Sequence, residues 1–220
     1  MRRIGLVTIG QSPRIDVVSE IKPILGDVEV IECGALDDLS RSEIEALAPR
    51  EDEYLLVTRL RNGTEVKVSR ERILLLMQRC IDRLEQVVDV IGLLCTSEFP
   101  ELRSRKILIE PSKLLLNIVS SLNVKKLGIL VPNPKQISTV VKRWYKVAED
   151  VVVDSFSPYT DDIKKFPEIA KKFSDRDLVV LDCIGYNTEV KRIVMEITKK
   201  PVILPRTVLA RVIRELIEVI

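Results

Sequence analysis

Val90-Ile91-Gly92-Leu93-Leu94-Cys95-Thr96-Ser97 and Leu178-Val179-Val180-Leu181-Asp182-Cys183-Ile184-Gly185 say nearly the same thing in two places of one chain. Each is a short apolar run ending near a cysteine and followed at once by polar residues or glycine. A run of that kind reads as a central strand of a parallel sheet, buried on both faces. In open α/β sheets ligands bind beyond the carboxyl ends of such strands, so both sulfurs fall where chemistry is usually done.

Working outward from the first run, periodicity predicts a strand over 4–9, a helix opened by Ser12-Pro13 and reaching Leu25, a strand over 28–33 and a short helix over 41–47. Alternating apolar residues over 54–60 and 64–68 flank Arg61-Asn62-Gly63, which marks a β-hairpin. A helix from Ser69 to Val88 follows, with Ile73, Leu76, Met77, Cys80, Ile81 and Leu84 on one face, which accounts for Cys80 as core.

Around the second run the pattern restarts. A strand over 107–109 and a helix over 111–122 lead to a strand over 127–131 and a helix opened by Asn133-Pro134. A strand over 151–154, a helix over 161–172, the second cysteine strand, a helix over 188–198, a strand over 201–204 and a helix from Thr207 complete the series. The expected fold is therefore α/β, with two pseudo-symmetric parallel-sheet domains and a β-hairpin inserted in the first. The N-terminal domain spans 1–112 and is completed by a terminal helix over 206–220; the C-terminal domain spans 113–205.

Thirty-five basic and thirty-three acidic side chains are interspersed and leave a net charge of +2, which gives no support to nucleic-acid or membrane-surface binding. No apolar run approaches the roughly 20 residues a membrane span needs. Met1-Arg2-Arg3 leads straight into a strand, so the expectation is a soluble, cytoplasmic protein. Cys33, Cys80, Cys95 and Cys183 form no C-x-x-C pair, and reduced thiols are expected. There is no histidine, which removes the commonest general base and zinc ligand. Acid–base work would fall to Cys, Asp, Glu, Lys or Tyr. No phosphate-binding glycine motif follows the first strand, where Ile9-Gly10-Gln11-Ser12-Pro13 has a single glycine.

Right-handed crossovers put 10–14, 96–98, 133–135 and 185–188 on the same edge of their sheets, and two such edges facing each other make a cleft. Ser12 and Asn133 precede prolines as N-caps would, and Thr96 or Ser97, Asn187 or Thr188, and Thr207 could cap likewise. Helix N-termini gathered there would suit a carboxylate or phosphate and would pull the Cys95 and Cys183 thiols toward thiolate. Simpler readings stand beside these. A strand-end cysteine is commonly a small buried hydrophobe. Arg14 reads as a solvated first-turn residue, although it sits where it could clamp a carboxylate. Strand alternation turns Asp182 to the face opposite Cys183. Glu110-Pro111 and Tyr186 fit joining and packing roles, and the 59–67 hairpin fits a dimer contact or a lid.

Thr8-Ile9-Gly10-Gln11-Ser12-Pro13-Arg14, Leu94-Cys95-Thr96-Ser97, Glu110-Pro111 and Leu181-Asp182-Cys183-Ile184-Gly185-Tyr186 together resemble the AroM family, along essentially the whole chain. That family in turn resembles the aspartate/glutamate racemase superfamily. The resemblance implies two pseudo-symmetric α/β domains, a cysteine from each facing across a cleft, and no cofactor or metal. It implies a cofactor-independent isomerase, racemase or decarboxylase of a small carboxylate, with Cys95 and Cys183 as the acid–base or nucleophile pair. Thr96 and Ser97 inherit carboxylate binding from the similar maleate isomerase motif, and Gly10, Gln11, Ser12, Arg14, Asn133, Gly185 and Tyr186 are the further substrate-binding candidates. Racemases of amino acids usually carry threonine after the second cysteine. Here Ile184 follows, which points to a substrate other than plain aspartate or glutamate. The alternative is a non-catalytic protein that binds or senses a small carboxylate on the same fold. The expected partner is a small carboxylate, with no nucleic acid and no membrane; a homodimer stands as an open option beside a monomer.

Overall fold

The computed structural model describes residues 2–218; Met1 and the last two residues of the expected 206–220 segment lie outside the described residues. The first half runs β1 (Arg3–Thr8), α1 (Ile15–Leu25), β2 (Glu29–Gly34), α2 (Arg41–Ala46), β3 (Leu55–Arg59), β4 (Glu65–Ser69), α3 (Arg70–Leu84), β5 (Val90–Leu94), β6 (Ile107–Ile109) and α4 (Pro111–Ser121). The second runs β7 (Lys126–Val131), α5 (Ile137–Trp144), β8 (Asp150–Ser155), α6 (Phe166–Lys171), β9 (Leu178–Leu181), α7 (Thr188–Thr198), β10 (Val202–Ile203) and α8 (Pro205–Ile217). Short 3-10 turns, Pro134–Gln136 and Ile163–Lys165, lead into α5 and α6.

Two four-stranded parallel sheets result, ordered β2-β1-β5-β6 and β8-β7-β9-β10. The order is the same in both: second strand, first strand, cysteine strand, last strand. β5 and β9 are buried along their whole length, as apolar runs flanked by strands on both sides must be. The two α/β halves are pseudo-symmetric. β3 and β4 pair antiparallel with each other and stand outside both sheets.

The last helix of each half crosses to the other. Leu115 and Val119 of α4 enter the core built by β7, β9 and Trp144. Leu209, Ala210 and Ile213 of α8 pack with Ile4, Leu6 and Val17, Ile21 and Leu25 of α1. Positions four apart on α1 share one face, so three residues spaced this way seat the helix on the sheet and on α8 together.

Several local expectations are corrected. α1 starts at Ile15, and no side chain caps it; the Ser12 N–H and hydroxyl instead donate to the Asp37 carboxylate at 2.7 and 2.6 Å. A carboxylate accepting two bonds outcompetes a capping geometry that the local sequence alone would favour. No helix follows β5, so Thr96 and Ser97 cap nothing. α8 starts at Pro205, and the Thr207 hydroxyl donates back to the Leu204 carbonyl at 3.0 Å. Asn133 and Asn187 do cap, accepting from the Lys135 and Val190 N–H groups at 3.0 and 2.9 Å. Cys33 and Cys80 are not reduced: they form a disulfide joining β2 to α3, with Cα atoms 5.6 Å apart. Packing of α3 across β2 brings together two residues 47 positions apart, a proximity no local pattern encodes.

Candidate active site

The two cysteine turns meet. The Thr96 hydroxyl, one residue after Cys95, donates to the Asp182 carbonyl, one residue before Cys183, at 3.1 Å. Arg143 on α5 binds both turns: one Nη donates to the Thr96 carbonyl at 3.0 Å, the other to the Asp182 carboxylate. Each sulfur accepts a backbone N–H from two residues on, Cys95 from Ser97 at 3.5 Å and Cys183 from Gly185 at 3.4 Å. The repeated sequence thus produces a repeated local geometry, because a strand that stops just before the cysteine lets the next turn fold its amides back toward the sulfur.

Both cysteines line one interior cavity of about 30 Å³, together with Arg14, Thr96, Ser97 and Asp182. That is room for a water molecule or two, not for a carboxylate substrate, so binding requires a wall to move. The hairpin is one such wall, contributing Tyr54, Leu56 and Thr58. It touches both halves. Gln136 Nε2 donates to the Leu55 carbonyl at 3.1 Å, Arg61 Nε donates to the Ser12 carbonyl at 2.6 Å, and Ser157 donates to Glu65.

Arg14 is not solvated. It is 2 % exposed, with Nε and Nη2 donating to the Asp16 carboxylate at 2.9 and 2.8 Å, Nη1 to Thr8 at 3.2 Å and Nη2 to the Tyr159 hydroxyl at 3.0 Å. Burial alone would lower its pKa, but Tyr159 and Asp16 outweigh burial and hold it above the ordinary range. Arg143 behaves alike: burial opposes its charge, and Asp182 more than restores it. Two guanidiniums and one carboxylate line the cavity; Arg14 is paired with Asp16 behind it and Arg143 with Asp182, so the local charge is balanced.

The thiols differ from expectation. Burial pushes Cys95 up, and pushes Cys183 up to about 12, although the Ser97 and Gly185 N–H groups pull the other way. Desolvation outweighs the pull of nearby amides and helix N-termini for a sulfur buried beside so small a cavity. Asp182 is also corrected. It lies one residue past β9, where strand alternation has ended, and so lines the same cavity as Cys183.

Of the remaining candidates, Gly10, Gln11, Ser12, Asn133, Gly185 and Tyr186 do not line the cavity. Gln11 accepts from the Arg61 N–H at 3.0 Å and so holds the hairpin. Gly10 lies where a Cβ would come 2.4 Å from the Arg59 carbonyl, so only glycine lets β1 and the hairpin approach this closely. Tyr186 donates to the Phe156 carbonyl at 2.7 Å and pins the second cysteine turn. Tyr54, Gln136, Arg143, Tyr159 and Arg206 escaped the sequence reading. Arg206 is 1 % exposed and donates to the Ile184 carbonyl at 3.0 and 2.8 Å from Nε and Nη2. None of them sits in a motif; a signal existed only in Tyr159, which follows the β8 strand end as a loop aromatic. Among the described residues no cluster of three or more Cys, Asp or Glu could hold a metal ion.

A family model described as AroM protein matches residues 4–217. No curated protein matches the chain at a significant level. Among solved structures, the chain is similar to an aspartate racemase from Picrophilus torridus, with a TM-score of 0.65 and 15 % identity over 98 % of this chain and 94 % of that one. It is similar to an allantoin racemase from Klebsiella pneumoniae, with a TM-score of 0.64 and 12 % identity over 99 % and 88 %. It is similar also to the maleate isomerase Iso from Pseudomonas putida S16, with a TM-score of 0.62 and 16 % identity over 95 % and 90 %. At these identities the likeness is one of fold, and the fold is that of the racemase-like α/β proteins.

Proposed function

The chain belongs to the AroM family, and from that premise we propose that it is a cofactor-independent isomerase, racemase or decarboxylase of a small carboxylate, with Cys95 and Cys183 as its acid–base pair. The observation that carries this reading is the junction of the two cysteine turns through Thr96, Asp182 and Arg143, with both sulfurs on one cavity. In a racemase step, one sulfur as thiolate would take the proton from the carbon beside the carboxylate and become a thiol. The other, as thiol, would deliver its proton to the opposite face and become the thiolate. The developing enediolate would be held by the Arg14 guanidinium and by the N–H groups of the two turns. In a decarboxylation carbon dioxide would leave and a thiol would protonate the resulting carbanion. Opening of the hairpin wall would admit both substrate and water, easing the desolvation that pushes the sulfurs up. The division into 1–112 with 206–220 and 113–205 belongs to the same reading, supported by the exchange of α4 and α8.

The raised thiol pKa values favour a second reading, a non-catalytic carboxylate-binding protein with structural cysteines. One experiment separates them. The protein is incubated in heavy water with a panel of small carboxylates bearing an acidic α-hydrogen, and exchange is followed by proton NMR beside thermal-shift binding. An enzyme exchanges the α-hydrogen of at least one ligand, and Cys95→Ser and Cys183→Ser abolish exchange while ligand-induced stabilisation persists. Stabilisation by a ligand with no exchange in the wild-type protein assigns the binding role.

A further inference from the structure

Buried polar atoms almost always find partners, so those that do not are informative. Four such atoms gather on the same cavity: Thr58 Oγ1 from the hairpin, Gln136 Oε1 from the turn before α5, Arg143 Nε from α5 and Asp182 Oδ1 beside the second cysteine. Their residues are each 8 % exposed or less. They are not leftovers of a loose region, because each side chain except Thr58 is anchored by its other atoms. Gln136 donates to the Leu55 carbonyl at 3.1 Å, Arg143 to the Thr96 carbonyl at 3.0 Å, and Asp182 accepts from Trp144 Nε1 at 2.9 Å. Anchored side chains that each leave one polar atom free form a preorganised surface for a ligand.

Resting on the carboxylate reading above, we propose that Thr58, Gln136, Arg143 and Asp182 form a second, neutral polar subsite, which takes a hydroxyl or carboxamide group of the substrate. Two of the free atoms are acceptors, one is a donor and the Thr58 hydroxyl can do either, so the group they fit must donate and accept at once. An alkyl or aryl substituent would leave all four unpaired. An ammonium is disfavoured, because Asp182 is already ion-paired with Arg143 and the local charge is balanced. The substrate class is therefore a small carboxylate carrying a second, uncharged hydrogen-bonding group. The anchoring of the subsite also explains the hairpin: Thr58 completes the set, so the wall that closes the cavity reads part of what is inside it.

The test uses calorimetry on the whole protein with matched sets of four- to seven-carbon carboxylates, each set comprising the plain acid, its hydroxy or carboxamide derivative, and its amino derivative. The hydroxy or carboxamide member should bind about 10- to 100-fold tighter than the plain acid, the range expected when a buried polar group is satisfied. The amino member should show no such gain. In Thr58→Val and Gln136→Met the ratio of hydroxylated to plain-acid affinity, taken within each variant, should fall toward unity. Equal binding of plain and hydroxylated members to the wild-type protein would overturn the subsite and leave the carboxylate reading standing; failure of every carboxylate to bind would overturn both. A measurement without ligand adds a second arm. Thr58→Val removes a hydroxyl that bonds no protein atom in the fold, so its Tm should hold or rise by up to about 2–4 °C. A fall in Tm would show that the hydroxyl serves the fold and would overturn its assignment to a ligand.

Discussion

Arg14, just before α1, donates a 3.0 Å hydrogen bond to the hydroxyl of Tyr159, 145 residues further on, in the loop after β8. The guanidinium also lies 5.9 Å from the centre of the Tyr159 ring. One residue from each half thus meets at the cavity wall, and Arg59 of the hairpin lies over the same ring at 5.9 Å. Burial and charge are coupled here: the ring excludes water from the Arg14 guanidinium, and that charge is satisfied only because Asp16, Thr8 and Tyr159 converge on it.

Tyr159→Phe keeps the ring and removes the acceptor. A hydrogen bond to a charged group contributes about 1.5–3 kcal/mol, so urea unfolding should show a loss of that size. Alkylation of Cys183 in the native protein should also accelerate, since Tyr159 shares its cavity. An unchanged labelling rate would mean that the seal lies elsewhere.

The thiols make stability pH-dependent on the alkaline side. Cys183 is pushed up to about 12 in the folded protein from an ordinary value of 9.0. Between those values the unfolded chain has lost the proton that the folded chain retains, so the contribution is full below about pH 9 and is lost as pH rises toward 12. Urea midpoints measured across this window should fall, and Cys183→Ala should flatten the fall. Iodoacetamide should label neither Cys95 nor Cys183 rapidly at pH 7 in the closed protein.

Arg143 and Asp182 form an ion pair with side chains 8 % and 1 % exposed. Removing one partner leaves an uncompensated buried charge, at a cost of about 3–5 kcal/mol, so Asp182→Ala should be severely destabilised in chemical denaturation. The double variant Asp182→Leu/Arg143→Met should recover much of that loss. If the double variant is as unstable as the single one, packing rather than charge is what the pair provides.

The Cys33–Cys80 disulfide closes a loop of 47 residues. Chain-entropy reasoning assigns such a cross-link about 4 kcal/mol, which Cys80→Ala should forfeit in urea unfolding. Thiol counting on the unfolded, unreduced chain should find two free sulfurs, those of Cys95 and Cys183.

Gly10→Ala would place a Cβ 2.4 Å from the Arg59 carbonyl. Backbone cannot yield as a flexible side chain does, so the variant should lose about 1–3 kcal/mol and loosen the hairpin, seen as faster amide exchange over Leu55–Arg59.

The two cysteine runs, read as strands, already mark the central strand of each half, because a buried parallel strand must be continuously apolar and its end must open on a loop. The hairpin was equally legible, since Asn62-Gly63 and alternating residues encode a turn and a pleat without help from the rest of the chain. Helix starts were legible where the cap had no rival, at Asn133 and Asn187, and misread at Ser12, where Asp37 takes the hydroxyl. The sequence by itself determined the periodicities, the repeat and the placing of two sulfurs at strand ends, because each depends on neighbours within a few residues. Only the tertiary structure decided that Arg14 is buried, that Cys33 meets Cys80, that Asp182 joins the cavity wall and that burial pushes both thiols up. Those properties depend on desolvation and on partners up to 145 residues away, which no local pattern specifies.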